Sequence, residues 1–170
     1  MATLFERLAR QWRHWQTTAA KGRQLFPQET LARIGSAITA GEQRHRGEVR
    51  LIVENSMPSE AIWADVSNRQ RAIALFAQYG VWDTEDNCGV LIYVNLAEHK
   101  VDIVVDRHIG RKIDSTIWQQ ICRIMTSGFG RGEFETSTLA AIEQVNSLLA
   151  QHFPDDGSGA NELPDHPMVL

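Results

Sequence analysis

The sequence predicts an α/β fold in which a small mixed β-sheet is flanked by helices. Two runs indicate strands: Val49–Val53, which is rich in β-branched residues, and Gly89–Val94, which is continuously apolar as expected of a strand covered on both faces. A helical pattern that starts at Ser59 lies between them, so a right-handed crossover should place the second strand parallel to the first. The alternating run Val101–Val105 follows a short polar connection and predicts an antiparallel β-hairpin with the second strand.

Helical patterns account for most of the remaining chain. Pro27 fits the first turn of one helix, Gly80 fits the end of the helix that starts at Ser59, and Asp114 and Ser115 fit the start of a third. A fourth helix is predicted to begin near Thr136 and to end at Phe153. Three glycines are expected to separate the last two helices: Gly128, Gly130 and Gly132.

The chain length suits one folded domain with an extension at each end. With 170 residues, of which 43% are hydrophobic, the chain can bury one sizeable core. We expect an amphipathic basic helix over residues 1–24, an α/β domain over residues 25–153 and a flexible acidic tail over residues 154–170.

Composition argues against several classes of function. A net charge of −4 disfavours nucleic acid as a partner, because phosphate neutralisation needs a basic face. No secretory signal and no apolar run long enough to cross a bilayer can be identified, so a cytoplasmic location is expected. Cys88 and Cys122 form no C-x-x-C pattern and are interpreted as core residues.

Apolar residues near the start of the chain recur at helical spacing, with arginines between them. Two interpretations remain open for this amphipathic basic helix. Its apolar stripe could dock on the domain or on a second copy of it, or it could lie on an anionic membrane surface. In either case Trp12 and Trp15 are the residues expected to contact a protein partner or a membrane.

An acidic loop leads into the predicted second strand. The hairpin should bring this loop beside the end of the third strand. Its oxygen ligands would suit calcium or magnesium, although turn formation explains the same residue types equally well. The candidate metal ligands are Asp83, Glu85, Asp86, Asn87 and Asp106.

Arg107 and His108 follow Asp106 directly and form a second candidate site. The arginine could hold a phosphate or a partner, and the histidine could act as an acid or a base. A solvated or structural cluster is the alternative interpretation. No serine, cysteine or zinc hydrolase motif is present, so no catalytic residue is assigned.

The ordered series of motifs resembles the TPM-domain family. It comprises a helix that ends at Gly80, an acid at Asp83, the strand entry Asn87–Leu91, the return strand Lys100–Val105 and the looser match Phe129–Phe134. The resemblance covers about residues 26–153. Two features depart from the family: many relatives have a signal peptide and a membrane anchor, and many have a glycine-rich turn with an aromatic residue where this chain has Asp106-Arg107-His108.

The resemblance implies a module of the kind that acts in photosystem repair or receptor regulation, with acid phosphatase activity and divalent-cation binding proposed for some members. We therefore expect a non-catalytic, cation-binding interaction module. The alternative is a metal-assisted acid phosphatase, in which the metal polarises a phosphate that Arg107 helps to hold.

Overall fold

The computed structural model of the chain describes residues 4–157 and 161–170. These residues form helices and strands in an order that agrees with the predicted α/β class. In chain order the elements are α1 (Leu4–Gln16), α2 (Ala19–Leu25), α3 (Gln28–Glu42), β1 (Glu48–Glu54), α4 (Ser59–Trp63), α5 (Asn68–Gln78), β2 (Gly89–Asn95), β3 (Lys100–Val105), α6 (Arg107–Lys112), α7 (Ser115–Gly130), α8 (Phe134–His152) and β4 (Met168–Val169).

The sheet is mixed and open, with strand order β3-β2-β1-β4. Strands β1 and β2 are parallel, so that Glu48 lies opposite Gly89 and Glu54 lies opposite Asn95. Strands β2 and β3 form the predicted antiparallel hairpin. The predicted fold class, with its crossover and its hairpin, is confirmed.

Both faces of the central strands are covered. On one face, alternate β2 residues such as Ile92 pack in the main core with side chains from α3, α7 and α8. On the other face, Leu91 and Tyr93 pack with Leu75 of α5 in a smaller core. Every residue of β2 is buried, which explains why the strand is apolar without alternation.

The single helix predicted from Ser59 to Gly80 is wrong, because two helices fill this segment. The chain turns at Asp65, whose φ is 56°. Ser67 then caps α5: its side chain accepts a hydrogen bond from the Gln70 N–H, and the Gln70 side chain binds the Ser67 N–H in return. This capping box creates a new helix start where the apolar pattern continues without a break.

The glycines between the last two helices have different roles from the predicted break. Helix α7 continues through Gly128 and Gly130, and of these three glycines only Gly132 has a positive φ, of 79°. Gly128 marks a close approach of α7 to α8, since a Cβ atom there would lie 2.2 Å from the Ser137 Cβ.

The second part of the tail returns to the sheet, although the sequence predicts a flexible acidic segment. Strand β4 pairs in parallel with β1. The Arg50 guanidinium donates to the backbone carbonyls of Pro164 and His166, and the Asn55 N–H donates to the Leu170 carbonyl at 3.0 Å. The edge of β1 offers unpaired backbone groups, and residues 168–170 pair with part of that edge.

Candidate functional site

Local hydrogen bonds shape the acidic loop between α5 and β2. The Thr84 carbonyl accepts from the Asn87 N–H, and the Thr84 hydroxyl accepts from the Cys88 N–H, each at 3.0 Å. Asn87 has a φ of 52°, a conformation that asparagine tolerates better than most residues. Turn chemistry therefore accounts for Thr84 and Asn87 in this loop.

The hairpin brings Asp106 next to the loop. Its backbone N–H donates to the Gly89 carbonyl at 2.9 Å. Asp106 also caps α6, because Oδ1 accepts from the Arg107 N–H at 2.5 Å. The Asp106 side chain is buried, with 8% of the residue exposed, and Oδ2 has no hydrogen-bond partner among the described residues.

The structure divides the five candidate ligands instead of gathering them. Glu85 and Asp86 line a cleft with Arg46, whose Nη1 lies 3.4 Å from Oδ1 of Asp86. Asn87 and Asp106 line a separate groove. The fifth, Asp83, is exposed. Within residues 4–157 and 161–170, no three histidine, cysteine or acidic side chains are arranged to hold one metal ion.

The groove with Asn87 and Asp106 also contains Arg107 and Trp82, and its volume is about 620 Å³. Trp82 is 53% exposed. The residues that line the groove therefore carry a carboxylate, an amide, a guanidinium and an exposed aromatic ring. Such a surface can take a hydrated cation or an acidic group of another molecule.

The returning tail, residues 161–170, stabilises the acidic cleft that Glu85, Asp86 and Arg46 line. The Glu48 carboxylate accepts from the Leu163 N–H at 3.0 Å, and the Glu162 carboxylate accepts from the Glu85 N–H at the same distance. Burial, opposed by a hydrogen bond from the Val49 N–H, raises the pKa of Glu42 to about 9. Sequence reasoning missed this acidic cleft because it did not predict the return of the tail.

His108 turns away from the groove. Its Nδ1 lies 3.1 Å from the Asp86 carbonyl oxygen and 3.7 Å from Sγ of Cys88, and its ring packs edge-to-face on Phe153. Burial, and next the Asp86 charge, raise the pKa of the Cys88 thiol to about 11. The Cys88 thiol is therefore protonated at neutral pH and a poor nucleophile. The sequence did not predict this contact between Cys88 and His108.

Comparison with known proteins agrees with the motif series. The profile of the TPM domain matches residues 20–148. The chain belongs to the TPM-domain family. It is also similar to the BA42 protein of the psychrophilic bacterium Bizionia argentinensis, whose NMR structure gives a TM-score of 0.73 at 25% identity and covers 84% of this chain and 93% of that one. A search of curated proteins finds no match.

Helix α1 precedes the residues that match the TPM domain, and its polar side attaches it to that domain. His14 Nδ1 accepts from the Met57 N–H at 3.1 Å, and Nε2 lies 3.0 Å from Oε1 of Glu98. The Arg10 guanidinium donates to the same carboxylate oxygen and to the Val66 carbonyl. His14, and then Arg10, lower the pKa of Glu98 far below its usual range, against the opposing effect of burial.

The apolar stripe of α1 faces outward, so the interpretation that it docks on its own domain is wrong. Trp12 is 56% exposed and Trp15 is 70% exposed, with their ring centroids 5.1 Å apart. The sequence shows the stripe, but not which side of the helix the domain binds. None of the described helices is both long and apolar enough to cross a bilayer.

Proposed function

We propose that this TPM domain is a non-catalytic interaction module that binds a divalent cation, calcium or magnesium, in the groove beside Asp106. The observation that carries the proposal is Oδ2 of Asp106, a buried carboxylate oxygen without a hydrogen-bond partner among the described residues. Leaving such a group unsatisfied costs about 1–3 kcal/mol, and more for a charged group. A bound cation would remove that cost.

Two protein ligands define the expected chemistry. Asp106 supplies a carboxylate oxygen and Asn87 an amide oxygen, both of which suit a hard cation. Most of the coordination sphere is then left to water or to an acidic group of a partner, which Arg107 at the same groove would also attract. The expected site is therefore weak alone and stronger when the partner is present.

The positions of other reactive groups support a binding role over hydrolysis. The Cys88 thiol has its pKa raised to about 11, and His108 is engaged with the loop backbone and Phe153. Asp86 is paired with Arg46 in the separate acidic cleft. The chemically active side chains nearest the groove, those of Cys88, His108 and Asp86, therefore take part in structural contacts.

The test is an amide NMR titration of the chain with calcium and then with magnesium. We expect saturable shifts shared by residues 83–89 and 106–107, and their loss in Asp106→Asn. Asp114→Asn is the matched control, because Asp114 caps α7 by accepting from the Thr116 N–H. Absence of saturable shifts, or equal shifts in Asp106→Asn and the wild type, would contradict the proposal.

A metal-assisted acid phosphatase is the second candidate, and the shared position of Asp106 and Arg107 favours it. The metal would polarise the phosphate and Arg107 would hold it. Metal-dependent hydrolysis of p-nitrophenyl phosphate should then fall in Asp106→Asn and Arg107→Gln but persist in Asp114→Asn. Hydrolysis that is unchanged in all three variants would come from a contaminant.

A further inference from the structure

The two sides of α1 have opposite environments. Arg10 and His14 on the inward side contact Glu98 and neighbouring backbone groups, and Arg7 donates to the Trp63 carbonyl at 3.1 Å. The outward side carries large apolar side chains, each at least half exposed: Leu4, Phe5, Leu8, Trp12 and Trp15. Exposed apolar side chains that are contiguous in this way indicate an interaction surface.

We infer that the outward face of α1 lies on an anionic phospholipid surface, with the helix axis parallel to that surface. The inference goes beyond the cation-binding groove, because it concerns different residues on an element that precedes the TPM-domain match. An apolar face rich in Trp, Phe and Leu, combined with arginines, is the pattern that lets a helix rest in the interface between headgroups and acyl chains. Tryptophan favours this boundary because one end of its ring system is polar.

Charge supports an anionic surface. Residues 1–28 contain five lysines and arginines against a single acid, Glu6, although the whole chain has a net charge of −4. Three of these basic residues are exposed: Arg13 on α1, and Lys21 and Arg23 on α2. Basic residues close to an anionic membrane contribute about 1 kcal/mol each, and the asymmetry would orient the acidic remainder of the chain away from the lipid.

The size of the face favours lipid over a second copy of the chain. A helix of 13 residues is about 20 Å long and about 10–12 Å across, which gives a projected area on the order of 200 Å². Stable protein interfaces bury about 800 Å² on each partner. A lipid surface needs no complementary shape and can surround the projecting rings of Trp12 and Trp15.

The contacts between α1 and the domain hold the helix in the orientation that a lipid surface requires. Many interfacial helices order only when they bind, which reduces their affinity. Here the contacts of Arg10 and His14 hold the helix with its apolar stripe already outward. Membrane binding would therefore require little ordering of the backbone.

The test is flotation of the whole chain, in EDTA, with vesicles of phosphatidylcholine alone and with vesicles of phosphatidylcholine and phosphatidylglycerol in equal parts. We expect binding to the anionic vesicles, at least about tenfold weaker for the double variant Trp12→Gln/Trp15→Gln. Ile73→Gln is the control, because Ile73 is 49% exposed but lies on α5. Its binding should equal that of the wild type.

Salt and oligomeric state give independent outcomes. Raising the ionic strength from about 0.1 M to about 1 M shortens the Debye length from about 10 Å to about 3 Å and should release part of the bound chain. Absence of flotation with anionic vesicles, or equal binding by the double variant, would overturn the inference. So would a dimer in sedimentation analysis that the double variant abolishes, because the face would then contact a second copy.

Discussion

Nε2 of His14 lies 3.0 Å from Oε1 of Glu98, and this contact joins α1 to the turn between β2 and β3. Arg10 donates to the same oxygen, and the Glu98 side chain is only 6% exposed. One buried carboxylate therefore holds a helix that has its apolar residues on the opposite side. The attachment of α1 depends on charge and hydrogen bonds more than on apolar packing.

Glu98→Gln should loosen α1 without unfolding the domain. Removing one member of a buried charge pair costs about 3–5 kcal/mol, and we expect on the order of 2 kcal/mol here because Arg10 is partly exposed. That loss corresponds to roughly thirtyfold faster amide exchange over residues 4–16, measured by hydrogen exchange.

The control for this change is Glu133→Gln, which removes an ion pair between the exposed side chains of Glu133 and Arg131. Amide exchange in α1 should stay unchanged in Glu133→Gln. Equal acceleration of exchange in both variants would contradict the prediction.

The attachment of α1 should also depend on pH. The pKa of Glu98 is lowered in the folded state, so its contribution to stability is present above the unfolded pKa of about 4.3 and is lost as the pH falls towards the folded value.

Glu42→Gln should make the protein less sensitive to alkaline pH. Burial raises the pKa of Glu42 to about 9, with Glu48 and Asp165 adding to the effect. A raised pKa in the folded state means that stability falls as the pH rises from about 4.5 to about 9. The neutral glutamine can still accept from the Val49 N–H, which lies 2.7 Å from Oε1 of Glu42.

Urea unfolding at pH 5 and pH 8 measures this effect. We expect the wild type to lose on the order of 2 kcal/mol more than Glu42→Gln between these values, well below the limit of about 1.4 kcal/mol per pH unit. The exposed residue Glu29 provides the control variant, Glu29→Gln, which should follow the wild type. Parallel pH profiles for the wild type and Glu42→Gln would show that Glu42 is ionised in the folded protein.

Gly128→Ala should destabilise the contact between α7 and α8. A methyl group at this position would lie 2.2 Å from the Ser137 Cβ, so the two helices would have to separate. Overpacking of this kind costs about 1–3 kcal/mol, which thermal unfolding can measure. Gly130→Ala is the matched control, because no atom lies within 4 Å of the added Cβ. Equal melting temperatures for both variants would refute the close approach.

Local patterns in the sequence were sufficient for three of the four strands, but not for β4 or for every helix boundary. The parallel pair and the hairpin follow from apolar runs, whose spacing depends only on neighbouring residues. The break near Asp65 was missed because the apolar positions continue across it. The pattern Ser67-x-x-Gln70, a capping box, was the signal that could have revealed it.

The sequence predicted only those parts of the candidate site that follow from the strand topology. The hairpin brings Asp106 beside the acidic loop. The partner of Asp86 depends on how the connection between α3 and β1 packs, which placed Arg46 against it. The pairing of β4 with β1 involves two residues and a long separation along the chain, so no local pattern announces it.

The return of residues 161–170 to β1 matters for the colloidal behaviour of shorter versions of this protein. All seven residues of β1 are buried, and β4 covers part of the edge that β2 leaves open. Ending the chain at Phe153, where the helical pattern stops, would leave the backbone groups of this strand edge unpaired. Such an edge recruits strands from other molecules, so the truncated protein should aggregate where the full chain stays dispersed.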